Sequence, residues 1–175
     1  MEVFLPLAGV VLGALIAGLF TLLANRYNFE RQNRKDILNQ KNKNLDEIVT
    51  YAIEYFSYGG ALLAAIDGVS KDIELKGKPN SDAKSFLDKH DIEFINNSNN
   101  IEYCHAKLLI NFPEQERALK LLWDFKKVFS EIRNSVFRGK DLSVPHQQEM
   151  EKYREELGRI RTDFFVELKS VAKNA

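Results

Sequence analysis

From Val3 to Ala24 the chain carries no charged residue, and Pro6 and Thr21 are the only interruptions of an otherwise apolar run. A stretch of this kind admits few structures. At about 1.5 Å per residue it spans roughly 33 Å as a helix, against a hydrocarbon core of about 30 Å. Helices of water-soluble proteins seldom stay apolar on every face for so many turns. A cleaved leader wants a basic start, a shorter apolar core and a small-residue cleavage site. Here the start is Met1-Glu2 and the run ends Leu22-Leu23-Ala24. The expectation is a retained transmembrane helix over residues 1–25.

Flanking charge gives its direction. Residues 26–43 hold six basic groups (Arg26, Arg31, Arg34, Lys35, Lys41 and Lys43) against Glu30 and Asp36. Basic flanks remain in the cytoplasm. The reading is therefore a bacterial inner-membrane protein with its N-terminus outside and its C-terminal domain cytoplasmic. Residues 26–44 form a basic helical neck, seated by membrane lipid through Arg26, Arg31, Arg34 and Lys35.

On a helical wheel Gly9, Gly13, Ala17 and Thr21 follow one another at four-residue spacing. Glu2, Pro6, Ala14, Ala24 and Asn25 fall on the same half. The opposite half carries Phe4, Leu5, Leu12, Leu15, Ile16, Leu19, Leu22 and Leu23, with Val3, Leu7, Val10 and Phe20 as exceptions on the small half. Small side chains let backbones approach in lipid and large aliphatic ones suit acyl chains. This predicts a homo-oligomer packed on Gly9, Gly13, Ala17 and Thr21. The same face can line a narrow pore, with Glu2 at the outer mouth and Asn25 at the inner end.

Beyond the neck, residues 45–175 read as an all-α bundle. Leu38, Leu45, Ile48, Val49, Ala52, Ile53 and Phe56 recur at helical spacing. Gly59-Gly60 interrupts this helix, by close packing against a neighbour in preference to a hinge, and the helix continues as far as Asp67-Gly68. Residues 67–81 carry Gly68, Gly77 and Pro79-Asn80 and predict a loop. Asn80 or Ser81 caps a short helix to about Ile95, which the Asn-rich run 96–100 breaks. Another helix is expected over Ile101–Asn111. Pro113 suits the first turn of the next, whose stripe is Ala118, Leu121, Leu122, Phe125, Val128, Phe129, Ile132 and Val136, with Gly139 as its stop. The last helix starts near Pro145 and carries Met150, Tyr153, Leu157, Ile160, Phe164, Leu168 and Val171.

No catalytic motif emerges. Gly77-Lys78 lacks the remainder of a phosphate loop. Glu102 and His105 match one Glu-x-x-His unit of a di-iron bundle, without the second copy such a site needs. Cys104 and His105 point about 100° apart on a helix and do not pair as nucleophile and base. His90-Asp91 stands without partner histidines, His146 is expected at the solvent, and the ridge of Tyr51, Tyr55 and Tyr58 reads as packing. The expectation is no enzyme, no cofactor and no metal site. With 25 basic and 25 acidic residues, general nucleic-acid binding is disfavoured too.

The layout, from VFLPLAGVVLGALIAGLFTLLANR through the basic neck to the terminal helix, resembles the small membrane effectors of bacterial anti-phage defence, the channel-forming effectors of the Hailong systems among them. The likeness covers the whole chain as a layout and carries over no binding residue. It implies an oligomeric ion channel that opens on a nucleotide-type or protein signal and depolarises the cell. The alternative from a different class is a membrane-anchored scaffold recruiting a cytoplasmic protein partner, without conductance.

Overall fold

In a computed structural model of the protein, the described residues are 4–137 and 143–174, with side chains described over 16–137 and 143–171. They form five helices and no strand: α1 (Phe4–Lys76), α2 (Ser81–Asn96), α3 (Asn99–Asn111), α4 (Glu116–Phe137) and α5 (Gln147–Asn174). The all-α reading holds. Two compact units divide the chain, residues 1–41 and 42–175.

The first unit contains the amino-terminal part of α1. Pro6 lies in its first turn, where the absent N–H has no helical partner to lose. Every described side chain from Ile16 to Lys41 is exposed. Leu38, expected on the bundle stripe, is among them, and the apolar stripe of the bundle begins instead at Leu45. Among the described residues no helix is long and apolar enough to cross a membrane. Of the run 3–24, Val3 and the side chains of residues 4–15 lie outside the described residues.

The second unit is built around one apolar core. Leu45, Ile48, Ala52, Phe56, Leu62, Ile66 and Val69 of α1 meet Leu87 and Phe94 of α2 and Cys104 and Leu108 of α3. From α4 and α5 come Leu122, Phe125, Phe129, Ile132, Leu157 and Phe164. An aromatic cluster lies within this core. Phe56 sits 4.5 Å from Phe125 and 5.6 Å from Phe164, Phe94 is 4.6 Å from Phe129, and Phe125 lies parallel to Phe129 at 6.1 Å. Such ring pairs are worth about 0.5–1.5 kcal/mol beyond the area they bury. The predicted α4 and α5 stripes are buried, except that Leu121, Val128 and Tyr153 are half-buried, while Ile53 of the α1 stripe is exposed.

Gly59 and Gly60 do not break α1. A Cβ on Gly59 would stand 3.3 Å from Phe129 Cε2, so this glycine admits a close neighbour, as expected; at Gly60 there is open space. The loop expected over 67–81 shrinks to residues 77–80, because α1 continues to Lys76. Contacts with the start of α5 carry it through. Asp67 accepts from Gln147 Nε2 at 2.9 Å, Ser70 Oγ donates to the Pro145 carbonyl at 2.8 Å, and Glu74 accepts from the Gln147 amide at 2.8 Å. Gly77, at φ +71°, then ends the helix, its N–H returning to the Ile73 carbonyl at 2.8 Å.

The remaining boundaries follow local chemistry. Asn80 has an extended backbone and its side chain accepts the Asp82 amide at 3.3 Å, so of the two candidate caps Asn80 is the N-cap and Ser81 the first helical residue. Asn97 returns both its backbone and its side-chain N–H to Glu93 at the end of α2. α3 starts two residues before Ile101. Phe112, at the end of α3, is buried, and α4 begins only at Glu116, so Pro113 falls in the preceding turn and not in the first turn of the helix. α4 ends at Phe137; Gly139 lies outside the described residues.

Candidate functional site

The residues singled out by the sequence lie in the amino-terminal unit. Glu2 and the side chains of Gly9 and Gly13 are outside the described residues. Ala17, Thr21 and Asn25 are exposed helical residues. Thr21 Oγ1 donates to the Ala17 carbonyl at 2.8 Å, one turn back. A hydroxyl with that bond satisfies its own donor without water, which lets it tolerate an apolar surrounding.

Large apolar side chains accompany them. Ile16, Leu19, Phe20, Leu22 and Leu23 are each more than half exposed, and so are Tyr27 and Phe29 just beyond. Exposing one such side chain forgoes about 1.5–3 kcal/mol of burial. Several in two consecutive turns make a surface that water does not reward. The basic residues follow directly. Arg26 pairs with Glu30 at 3.2 Å, while Arg31, Arg34 and Lys35 point into solvent with no carboxylate paired to them among the described residues.

In the bundle, the groups weighed as chemistry lie in packing contacts, in ion pairs or at the solvent. Cys104 is buried, its Sγ 3.7 Å from the Ile48 carbonyl, and burial pushes its thiol up to about 12. A thiol so protonated is a poor nucleophile. Glu102 pairs with Lys126, whose ammonium also lies 4.9 Å from the Trp123 ring centroid, and His105 faces the same indole at 6.4 Å. Asp91 belongs to Arg133, which grips it through Nε at 2.6 Å and Nη2 at 2.9 Å. His90 packs edge-on against Phe86 at 4.3 Å and sits 2.9 Å from a Glu93 oxygen. That contact lacks hydrogen-bond geometry, since the same Nδ1 has no hydrogen-bond partner. His146 is exposed, as expected, beside Glu74 at 3.3 Å. Of the three tyrosines, Tyr55 is buried and burial raises its phenol above the ordinary range. Among the described residues no cluster of His, Cys, Asp or Glu is placed to hold a metal ion.

Three polar ties between helices were not legible in the sequence. Asp67 of α1 is buried. Burial alone would raise its pKa, but hydrogen bonds from Lys71 and Gln147, and the charges of Arg154 and Lys71, hold the carboxyl below its usual value. Glu47 of α1 pairs with Lys107 of α3; the hydrogen bond lowers the carboxyl and raises the ammonium. Asp91 of α2 with Arg133 of α4 is the third. Each joins residues 42 to 87 positions apart in sequence, and helical periodicity carries no signal across such distances. No family model, curated protein or solved structure is similar enough to this chain to count as a match.

Proposed function

We propose that the chain is a membrane-anchored protein that assembles with copies of itself through the amino-terminal part of α1 and acts as a membrane effector. In this reading residues 3–24 cross the inner membrane, the exposed basic residues 26–35 sit at the cytoplasmic headgroups, and Tyr27 lies at the interface where aromatic rings collect. The observation that carries it is the exposure of Ile16, Leu19, Phe20, Leu22 and Leu23 on a helix whose sequence is uncharged for 22 residues. Lipid and a second copy of the helix are the two surroundings that would cover them. Gly9, Gly13 and Ala17 supply the close approach, and a pore along that face, with Glu2 and Asn25 at its ends, is the channel form of the proposal.

Gly13→Leu tests it. A bulky side chain where two backbones nearly touch should break the oligomer seen by native mass spectrometry in detergent, and Leu15→Ile should leave it intact. An oligomer unchanged by Gly13→Leu removes the assembly face from the proposal. Conductance of the purified protein in planar bilayers separates a channel from an anchored scaffold. Glu2→Gln should then lower cation current without changing assembly. Topology needs an added reporter, because buried Cys104 is silent to maleimide from either side. A cysteine after Met1 should label from outside intact spheroplasts, and Lys120→Cys, at an exposed position, should not. Labelling of the second from outside inverts the orientation.

A further inference from the structure

The bundle contains a cleft that its own packing does not use. It opens between α1 and α5, has a volume of about 110 Å³, and its apolar lining includes Phe56, Phe125 and Phe129. Gly60 of α1 and Gly158 of α5 form part of its wall. A Cβ at either glycine would meet nothing within 4 Å, so neither is a glycine because a neighbour crowds it. Both sit inside helices, where glycine is among the least stabilising residues. What their missing side chains leave is the open space of the cleft.

Two guanidinium groups border it, Arg154 and Arg161 of α5. Arg154 gives one nitrogen to Asp67 at 3.3 Å. Arg161 is exposed, and no carboxylate among the described residues pairs with it. A cleft this size is smaller than the several hundred Å³ that hold a whole drug-sized ligand. It approaches the roughly 150 Å³ of an enclosed cavity that accepts benzene, though this one is open to solvent on one side. The volume thus matches one ring, and the cation at the border matches an anionic group attached to it.

From this geometry we infer that the cleft between α1 and α5 binds a small aromatic anion, its ring lying over the floor that the edges of Phe56, Phe125 and Phe129 form and its carboxylate or phosphate on Arg161. The aromatic lining favours a flat ring over an alkyl chain, because ring edges and faces pair by their quadrupoles. Arginine presents a planar fork that suits both oxyanions. The cleft lies wholly within residues 42–175, so this inference does not depend on the membrane reading.

The test is a ¹⁹F NMR titration of 4-fluorophenyl phosphate into the full-length protein in mild detergent, which keeps it in solution whether or not it enters a bilayer, with detergent alone subtracted. Wild type should bind saturably. Arg161→Gln should weaken binding about tenfold or more through loss of a charged hydrogen-bond donor, and Gly158→Leu should abolish it by filling the cleft. Fluorobenzene, which lacks the charge, should bind alike to wild type and Arg161→Gln. Circular dichroism melting of both variants checks that the bundle is intact; should Gly158→Leu unfold, Gly60→Leu fills the opposite wall. No saturable binding to wild type overturns the inference, as does binding that survives both Arg161→Gln and the filled cleft. Octanoate displacing the aryl phosphate at equal concentration would overturn the preference for a ring.

Discussion

The two units of this chain treat their apolar residues in opposite ways. In residues 42–171 most of the large side chains that recur at helical spacing turn inward, Ile53 being an exposed exception, and Ile48, Leu62, Leu122 and Phe164 are almost wholly removed from water. Between Ile16 and Lys41 no described side chain is buried at all. Yet Phe20 and Leu22 are no less apolar than Phe164 and Leu122. The difference lies in what surrounds the stripe. A helix apolar on one face, with polar residues on the other, can bury that face and turn the other to water; a helix apolar on all faces has no side that water favours. The bundle is thus a solved packing problem, and the amino-terminal segment is an open one whose solution the proposed assembly in a membrane would provide.

The strongest way to break this contrast is to remove one ring from each region. Phe164→Ala empties the aromatic core and should destabilise the bundle by about 3–5 kcal/mol. Phe20→Ala should change its stability by less than about 0.5 kcal/mol, both read from urea denaturation followed by helical circular dichroism. A comparable loss for Phe20→Ala would show that the first unit is part of the same cooperative core. Next in size is Arg133→Ala, which strands the buried carboxylate of Asp91 and should cost about 2–3 kcal/mol; a change under about 0.5 kcal/mol would demote this tie to a surface contact.

The glycine pair of α1 sharpens the comparison within a single turn. Gly60→Ala adds a methyl in open space and should raise stability by about 0.5–1 kcal/mol. Gly59→Ala must displace the Phe129 ring and should lower it by about 1 kcal/mol. Equal effects would mean that the approach of Phe129 to α1 is looser than 3.3 Å. Asp67 sets the smallest effect and gives it a direction in pH. Its folded pKa is depressed, so its contribution is fully present above the ordinary carboxylate value, near 4, and is lost as pH falls through the lower folded value. Asp67→Asn should therefore flatten the fall in stability below pH 4 in denaturation curves recorded across pH. An unchanged acid limb would remove Asp67 from the groups that tie α1 to α5.

Helical class, the buried stripes of α4 and α5 and the Asn80 cap were all legible in the sequence, because each depends on spacing or on one side chain acting within a turn. Glycine and proline were read less well. Gly68 and the loop expected over 67–81 illustrate why. Local punctuation there favours a turn, but Asp67, Ser70 and Glu74 find partners at the start of α5, and those tertiary bonds outweigh a glycine penalty of about 1 kcal/mol. Of the candidate site, the run 3–24, its small face and the basic residues after it are sequence features throughout; the structure adds the exposure of Ile16 to Lys41 and the inward bond of Thr21.

By itself the sequence determined that this protein is helical, that its charge is balanced overall yet basic after residue 25, and that its first turns are apolar on every side. These follow from period and composition, which act locally. Only the tertiary structure decided that α1 runs through its glycines to Lys76, that Asp67, Asp91 and Glu47 each find a cation on another part of the bundle, and that Gly60 and Gly158 face a cleft beside Arg161. The reason is distance along the chain: these groups lie tens of residues apart, and what brings them together is the burial of apolar stripes that are silent about which polar groups will meet at their edges.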